Sequence, residues 1–167
     1  MSDWPIIQGR PARVIGGTLA GSLMAGAIAL AIPLIERWEG TRTDPYRDIV
    51  GVWTVCSGET RVAMRRYTHA ECSAMLRRAV ESDYGAAVLR AVPALARRPH
   101  QFAASISLAY NIGAPAFARS TAARRFNAGD WRGGCDAFLM WRFAGGKEVK
   151  GLKNRREDER RLCLAGL

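Results

Sequence analysis

From Val14 to Ile35 the chain reads VIGGTLAGSLMAGAIALAIPLI, an apolar run without a charge, and beyond it the apolar positions break into short periodic groups. As a helix these 22 residues would reach about 33 Å, enough to cross a bilayer core of about 30 Å. Nine of the 22 are Gly or Ala, and Thr18 and Ser22 dilute the run further, which predicts a marginal membrane helix rather than a firm anchor. Arg10 and Arg13 precede it and favour an amino terminus left in the cytoplasm. Three fates are open to such a segment: cleavage as a signal peptide, with Ala29-Leu30-Ala31 as an A-x-A site, permanent anchoring, or anchoring weak enough to be undone. A Gly/Ala-rich helix buried in a soluble domain is the remaining alternative.

The apolar run passes through Ile35 into Glu36, Arg37 and Glu39, and Gly40 is the residue type that most easily ends a helix, so Glu39 is expected at a helix end. Asp44-Pro45 marks a turn, and β-branched and aromatic residues flank Gly51, which predicts a small hairpin with Asp48 near its start. Thr68 followed by Glu71 is a capping box opening a helix toward Asp83. Pro93 and Pro99 punctuate the approach to a helix over 101–112, and Gly113 to Pro115 breaks it. Ser120 or Thr121 starts a stretch to Asn127, and Gly129-Asp130 precedes a helix over 132–143. Gly145-Gly146 makes a loop before a last helix over 154–164. The expected class is α+β, mainly helical with one small β element. Without an internal repeat or second linker, the chain divides into residues 1–35, a stub and apolar segment, and residues 36–167, one folded domain.

Composition narrows the partners. A net charge of +10 and a pI near 10.3 draw the surface toward polyanions. Zinc-finger spacing, basic-zipper heptads and the aromatic RNA-binding signature are all missing from the sequence, so nucleic acid is not the expected partner. Cys56, Cys72, Cys135 and Cys163 form no C-x-x-C pair and meet only two histidines, which argues against zinc, and no cofactor is expected. In an exported body they suit two disulfides. Sequence neighbours, Cys56 with Cys72 and Cys135 with Cys163, are favoured, although four cysteines allow three patterns and free buried thiols are the alternative.

Hydrolysis of a glycosidic bond needs a proton for the departing oxygen and a negative charge or directed water near the developing oxocarbenium, hence two carboxyl groups in unlike settings. Glu39, where an apolar helix ends, is placed to give the proton. Asp48, beside Arg47 in a polar turn, is placed to hold the charge, and the hydroxyl of Thr54 could hold a water or orient the aspartate. Spacing alone is weak support, since any of the 15 carboxylates is more simply a solvated surface charge.

Glu39-Gly40, Tyr46, Asp48, Gly51 and Thr54 follow the spacing E-G-(x)5-Y-x-D-(x)2-G-(x)2-T, which resembles the active-site signature of phage-type lysozymes. The similarity continues through Tyr110-Asn111-Ile112-Gly113, Phe117, Ser120-Thr121, Gly129-Asp130, Trp141, Gly145-Gly146-Lys147, Gly151-Leu152 and Arg155-Arg156-Glu157. This resemblance implies the mostly helical lysozyme fold with a small β-lobe, and a cleft for alternating N-acetylglucosamine and N-acetylmuramic acid. It implies Glu39, Asp48 and Thr54 as catalytic residues, with Tyr110, Asn111 and Thr121 as candidates for binding glycan. The cysteine pattern and the Gly/Ala-rich leading helix are similar to the signal-anchor-release endolysins of lambdoid phages. By that likeness the protein would be a monomeric muramidase whose residues 14–35 first sit in the host inner membrane, amino terminus inside, before it works on peptidoglycan in the periplasm. A membrane-tethered, non-catalytic peptidoglycan-binding protein is the alternative. Where the family commonly has histidine, Ser57-Gly58-Glu59 places Glu59, which alters a local bond or, as a rival possibility, joins the chemistry.

Other residues have plainer expectations. Trp53, Trp131 and Trp141 suit core packing better than sugar stacking. For Tyr110 and Asn111, packing and a helix-end hydrogen bond weigh as much as the cleft. His69 and His100 belong on the surface, and RREDERR, residues 155–161, reads as a solvated helix face laced by ion pairs.

Overall fold

The structure, a computed structural model, describes residues 17–48 and 51–167, with side chains from residue 23 onward. The expected stub with Arg10 and Arg13, and the start of the apolar run, lie outside the described residues.

Helix α1 spans Gly17–Glu39, 23 residues with Pro33 inside it. Ala27, Ile28, Ala31, Ile32 and Ile35 are buried along it, a stripe at helical spacing, while Ala25, Gly26, Ala29 and Pro33 face out. The stripe joins the main hydrophobic core, where α1 lies against helix α4 (Pro99–Ile112) and the 3-10 turn Pro93–Arg97. The division expected at residue 35 thus falls inside a helix whose residues 27–35 line the core. Among the described residues no helix is long and apolar enough to cross a membrane. Gly40, at φ +67°, ends α1 in the left-handed conformation that glycine adopts without cost, and its N–H closes the last turn on the Glu36 carbonyl at 3.0 Å.

Strand β1 (Arg42–Arg47) follows at once and pairs antiparallel with β2 (Trp53–Cys56), Tyr46 opposite Thr54 and Arg47 opposite Trp53. This is the expected hairpin, but Asp44-Pro45, expected as a turn, lies within β1, and Asp48, expected near the hairpin's start, follows its first strand. Beneath it Val55, Cys56, Tyr67 and Cys72 make a second small core, with Val62, Met64 and Met75 against it. Helix α2 (His69–Arg78) carries the capping box read from the sequence, Thr68 Oγ1 accepting from the Glu71 N–H and Glu71 accepting from the Thr68 N–H. A π-helical turn, Ala79–Gly85, then leads into α3 (Ala86–Ala91) and the main core. A Cβ on Gly85 would stand 2.7 Å from the Val80 carbonyl oxygen, so this wider turn admits only glycine there.

Helix α4 is buried from Gln101 to Ala109 and forms the axis of the main domain. It starts at Pro99, two residues before the expected boundary, because proline suits the first helical turn. Helices α5 (Ala114–Ala118) and α6 (Thr121–Asn127) follow, the latter capped by Ser120. The helix expected over 132–143 divides into α7 (Trp131–Asp136) and a 3-10 turn, Ala137–Trp141. The Gly145-Gly146 loop is tightened into a hairpin of β3 (Phe143–Ala144) with β4 (Lys147–Glu148), and α8 spans Lys150–Leu164. Disulfides join Cys56 to Cys72 and Cys135 to Cys163, the favoured pairs.

Candidate active site

Glu39 is the last residue of α1, and Arg155 of α8 reaches it across 116 positions of sequence, Nη1 donating to Oε1 at 2.6 Å. The Glu39 side chain is 27% exposed and that of Arg155 5%, so the carboxylate stands at the rim and the guanidinium inside. The sequence placed an apolar helix end around Glu39; the fold adds a buried cation beside it.

Asp48 directly follows β1 and is fixed by the hairpin: its Oδ1 accepts from the Val52 N–H at 2.8 Å and its own N–H donates to the Val52 carbonyl at 3.0 Å. Thr54, 4% exposed, donates its hydroxyl to that same carbonyl at 3.1 Å. The hairpin therefore brings Asp48 and Thr54 together through the Val52 backbone. Trp53 alternates outward from Thr54 and is 48% exposed with the Arg47 guanidinium over its ring, so its expected burial does not hold. Trp131 and Trp141 do pack on the core.

Between the hairpin's far end, the α2 and π-helical segment, and the end of α4 lies a cleft of about 490 Å³. Glu59, Arg61, Asp83, Tyr84 and Tyr110 line it, with Gly113 to Pro115 closing one side. Tyr110 spans two walls, its hydroxyl donating to the Ser57 carbonyl. Burial first, and then the negative charge of Glu39, push the Tyr110 phenol far up, so it stays a hydrogen-bond donor at any physiological pH. Glu39, Asp48 and Thr54 are not among the residues that line this cleft. Asn111 turns the other way, accepting from Arg156 Nη2 at 3.1 Å. Thr121 opens α6, accepts from Arg124 at 2.9 Å, and is not among the residues lining the cleft. Glu59 accepts from the Thr60 and Arg61 N–H groups at 2.9 and 2.8 Å, and Arg61 bridges onward to Asp83 at 3.1 Å. Glu59, where the resemblance leads one to expect histidine, is thus part of a strap between the hairpin loop and the π-helical turn.

The expectation of a solvated RREDERR face fails for three of its residues: Arg155, Arg156 and Glu159 are buried against α4, while Glu157 and Arg161 are exposed. Burial pulls the Arg156 guanidinium down to about 10 and pushes the Glu159 carboxyl up, their mutual attraction opposing both. The signal lies in the spacing. Leu152, Arg155, Arg156, Glu159 and Cys163 recur as one helical stripe, so partly or fully buried apolar residues bracket the charged ones on the same face. His69 is exposed, as expected, and His100 is half-buried.

The sequence profile described as phage lysozyme matches residues 36–159. A SAR-endolysin of Enterobacteria phage PA-2 is 41% identical over 160 residues, covering 89% of this chain and 94% of its own. The muramidase domain of SpmX from Asticaccaulis excentricus is similar at a TM-score of 0.71 and 29% identity, over 80% of this chain and 94% of that one. The active form of the P1 phage endolysin shares the fold, at a TM-score of 0.73 and 24% identity over 89% and 95% of the two chains.

Proposed function

The chain belongs to the phage lysozyme family of glycoside hydrolases, and on that premise we propose that it is an endolysin. It would act as a muramidase that cuts the β-1,4 bond between N-acetylmuramic acid and N-acetylglucosamine in peptidoglycan and so lyses the host. Glu39 gives its proton to the departing glycosidic oxygen. The Arg155 guanidinium, 2.6 Å away, is then the counter-charge for the carboxylate left behind. Asp48 stabilises the developing oxocarbenium or directs a water toward it. Thr54, already donating to the Val52 carbonyl, is left to accept a hydrogen bond from that water. The cleft beside Tyr110 holds the glycan. The observation that carries the reading is Glu39 at the end of a core helix, paired at 2.6 Å with a buried arginine. Purified chain should clear isolated murein and release new reducing ends. Glu39→Gln should lower the rate at least about 100-fold while circular dichroism shows the fold intact. Retained cleavage by the variant would remove Glu39 from this role, and glycan binding without cleavage by the native chain would mean a binding protein instead.

Activity is controlled, in this reading, by where α1 is. The apolar run that could lie in the host inner membrane includes Ala27, Ile28, Ala31, Ile32 and Ile35, which the folded domain buries. One segment cannot occupy both places. While it is in the bilayer, Glu39, four residues beyond Ile35, is held at the headgroups and the core lacks a wall. Release into the periplasm lets α1 dock on α4 and delivers Glu39 to Arg155, a two-state element biased by the membrane. Cleavage after Ala31 would remove core residues, so the released protein should keep its full mass.

A further inference from the structure

Glu159 is a carboxylate shut away from water, its side chain 0% exposed. Burying an ion is tolerated only where its partners compensate fully. Its Oε1 accepts from the Ser107 hydroxyl at 2.7 Å, Arg156 Nη2 at 3.1 Å and Arg155 Nε at 3.2 Å. Its Oε2 lies 2.9 Å from Arg156 Nε. Arg155 is in turn held at three corners: Nε on Glu159, Nη2 on the Ser107 carbonyl at 3.4 Å, and Nη1 on Glu39. A guanidinium is a rigid planar fork, so fixing two of its nitrogens sets where the third points. Charge matters as well. Arg155 and Arg156 are both cations, and Glu159 is the acid that shares their buried space. With it, the cluster presents one net positive charge to Glu39; without it, two.

We propose that Glu159 is a positioning residue for the reaction: it sets the plane of the Arg155 guanidinium against Glu39 and offsets the charge of Arg156, so that Glu39 meets one oriented cation. The proposal rests on reading Glu39 as the proton donor. Glu159 itself does not line the cleft, and its effect reaches Glu39 through the orientation of Arg155 and the charge of Arg156.

The test compares kcat and KM on soluble glycan strands for the full chain, Glu159→Gln, Arg156→Gln, the double variant and Ser107→Ala, each checked for fold by circular dichroism. Glu159→Gln keeps the side-chain volume and the bond from Ser107. It should lower kcat about 10- to 100-fold while KM stays within about twofold, since no glycan contact changes. Adding Arg156→Gln removes the surplus cation and should restore part of kcat, a non-additivity that packing alone would not produce. Ser107→Ala unties Glu159 without altering charge, and should lower kcat several-fold. A folded Glu159→Gln enzyme with native kcat, an equal change in KM, or a double variant as slow as the product of the singles would overturn the proposal. If Glu159→Gln does not fold, a native kcat in Ser107→Ala overturns it. Failure of the Glu39 reading is separate and would show as activity in Glu39→Gln.

Discussion

On the proposed release of α1 from the membrane, leucine at position 26 should perturb the held and folded states unequally. Gly26 lies on the outward side of the helix, and a Cβ there would meet nothing within 4 Å. Gly26→Leu therefore adds no clash to the folded domain. Helix propensity improves by about 0.8–1 kcal/mol, but α1 is helical in either place, so that gain cancels. The side chain itself does not cancel. In the bilayer it is buried and contributes about 1.5–3 kcal/mol, whereas in the folded domain it stays in water. At about 1.4 kcal/mol per factor of ten, the ratio of membrane-held to released enzyme should rise about 10- to 150-fold. Fractionation of induced cells into membrane and soluble parts measures that ratio, and turbidity gives the time of lysis. Lysis should be delayed, while the purified variant cleaves murein within about twofold of the native rate. An unchanged soluble fraction with native lysis timing would refute the release reasoning; a purified variant without activity would refute the steric part.

The two disulfides should separate stability from function. Removing Cys135–Cys163, 28 residues apart, should cost about 3.5 kcal/mol by loop entropy. Removing Cys56–Cys72, 16 apart, should cost about 3 kcal/mol. Only the second pair lines the cleft, so calorimetry should show both losses and murein assays a larger fall in rate for the Cys56/Cys72 variant. Equal residual rates at a temperature where both are folded would contradict this. At Glu71 the Arg65 guanidinium, followed by the Thr68 N–H, holds the carboxyl down at about 2 from an ordinary 4.5. A depressed carboxylate adds stability above its unfolded value and loses it as pH falls through the folded one, so this contribution fades between about 4.5 and 2. The side-chain carboxyl resonance of Glu71 should titrate near pH 2, and a midpoint near 4.5 would refute the capping geometry.

What could be read from the sequence was local. The Thr68 and Ser120 caps, the stop at Gly40 and the hairpin around Gly51 are each decided by residues within a few positions, and all are present. What could not be read depends on distant partners. Whether RREDERR is solvated turns on Ser107 and Asn111, about fifty residues upstream, which hydrogen-bond with Glu159 and Arg156 inside the fold. The π-helical turn needs one residue more than an α-turn, and only the close approach of Gly85 to Val80 marks it. Trp53 was misjudged because hydrophobicity says a residue wants cover, whereas register decides whether it gets any. The Val14 to Ile35 run was ambiguous for a physical reason. Small residues that make a weak bilayer helix also allow close packing against α4, so composition serves both ends.

Kinship and folding draw different boundaries on this chain. The phage lysozyme profile begins at residue 36, yet the helix that carries Glu39 begins at Gly17. A protein shortened to residues 36–159 would keep Glu39, Asp48, Thr54 and the Cys56–Cys72 pair, but would lose Cys163, the partner of Cys135. It would also lack Ala27, Ile28, Ala31, Ile32 and Ile35, leaving α4 with one flank stripped. The proposed chemistry lies entirely within the profile's span, while the scaffold that would make it usable draws on residues ahead of that span.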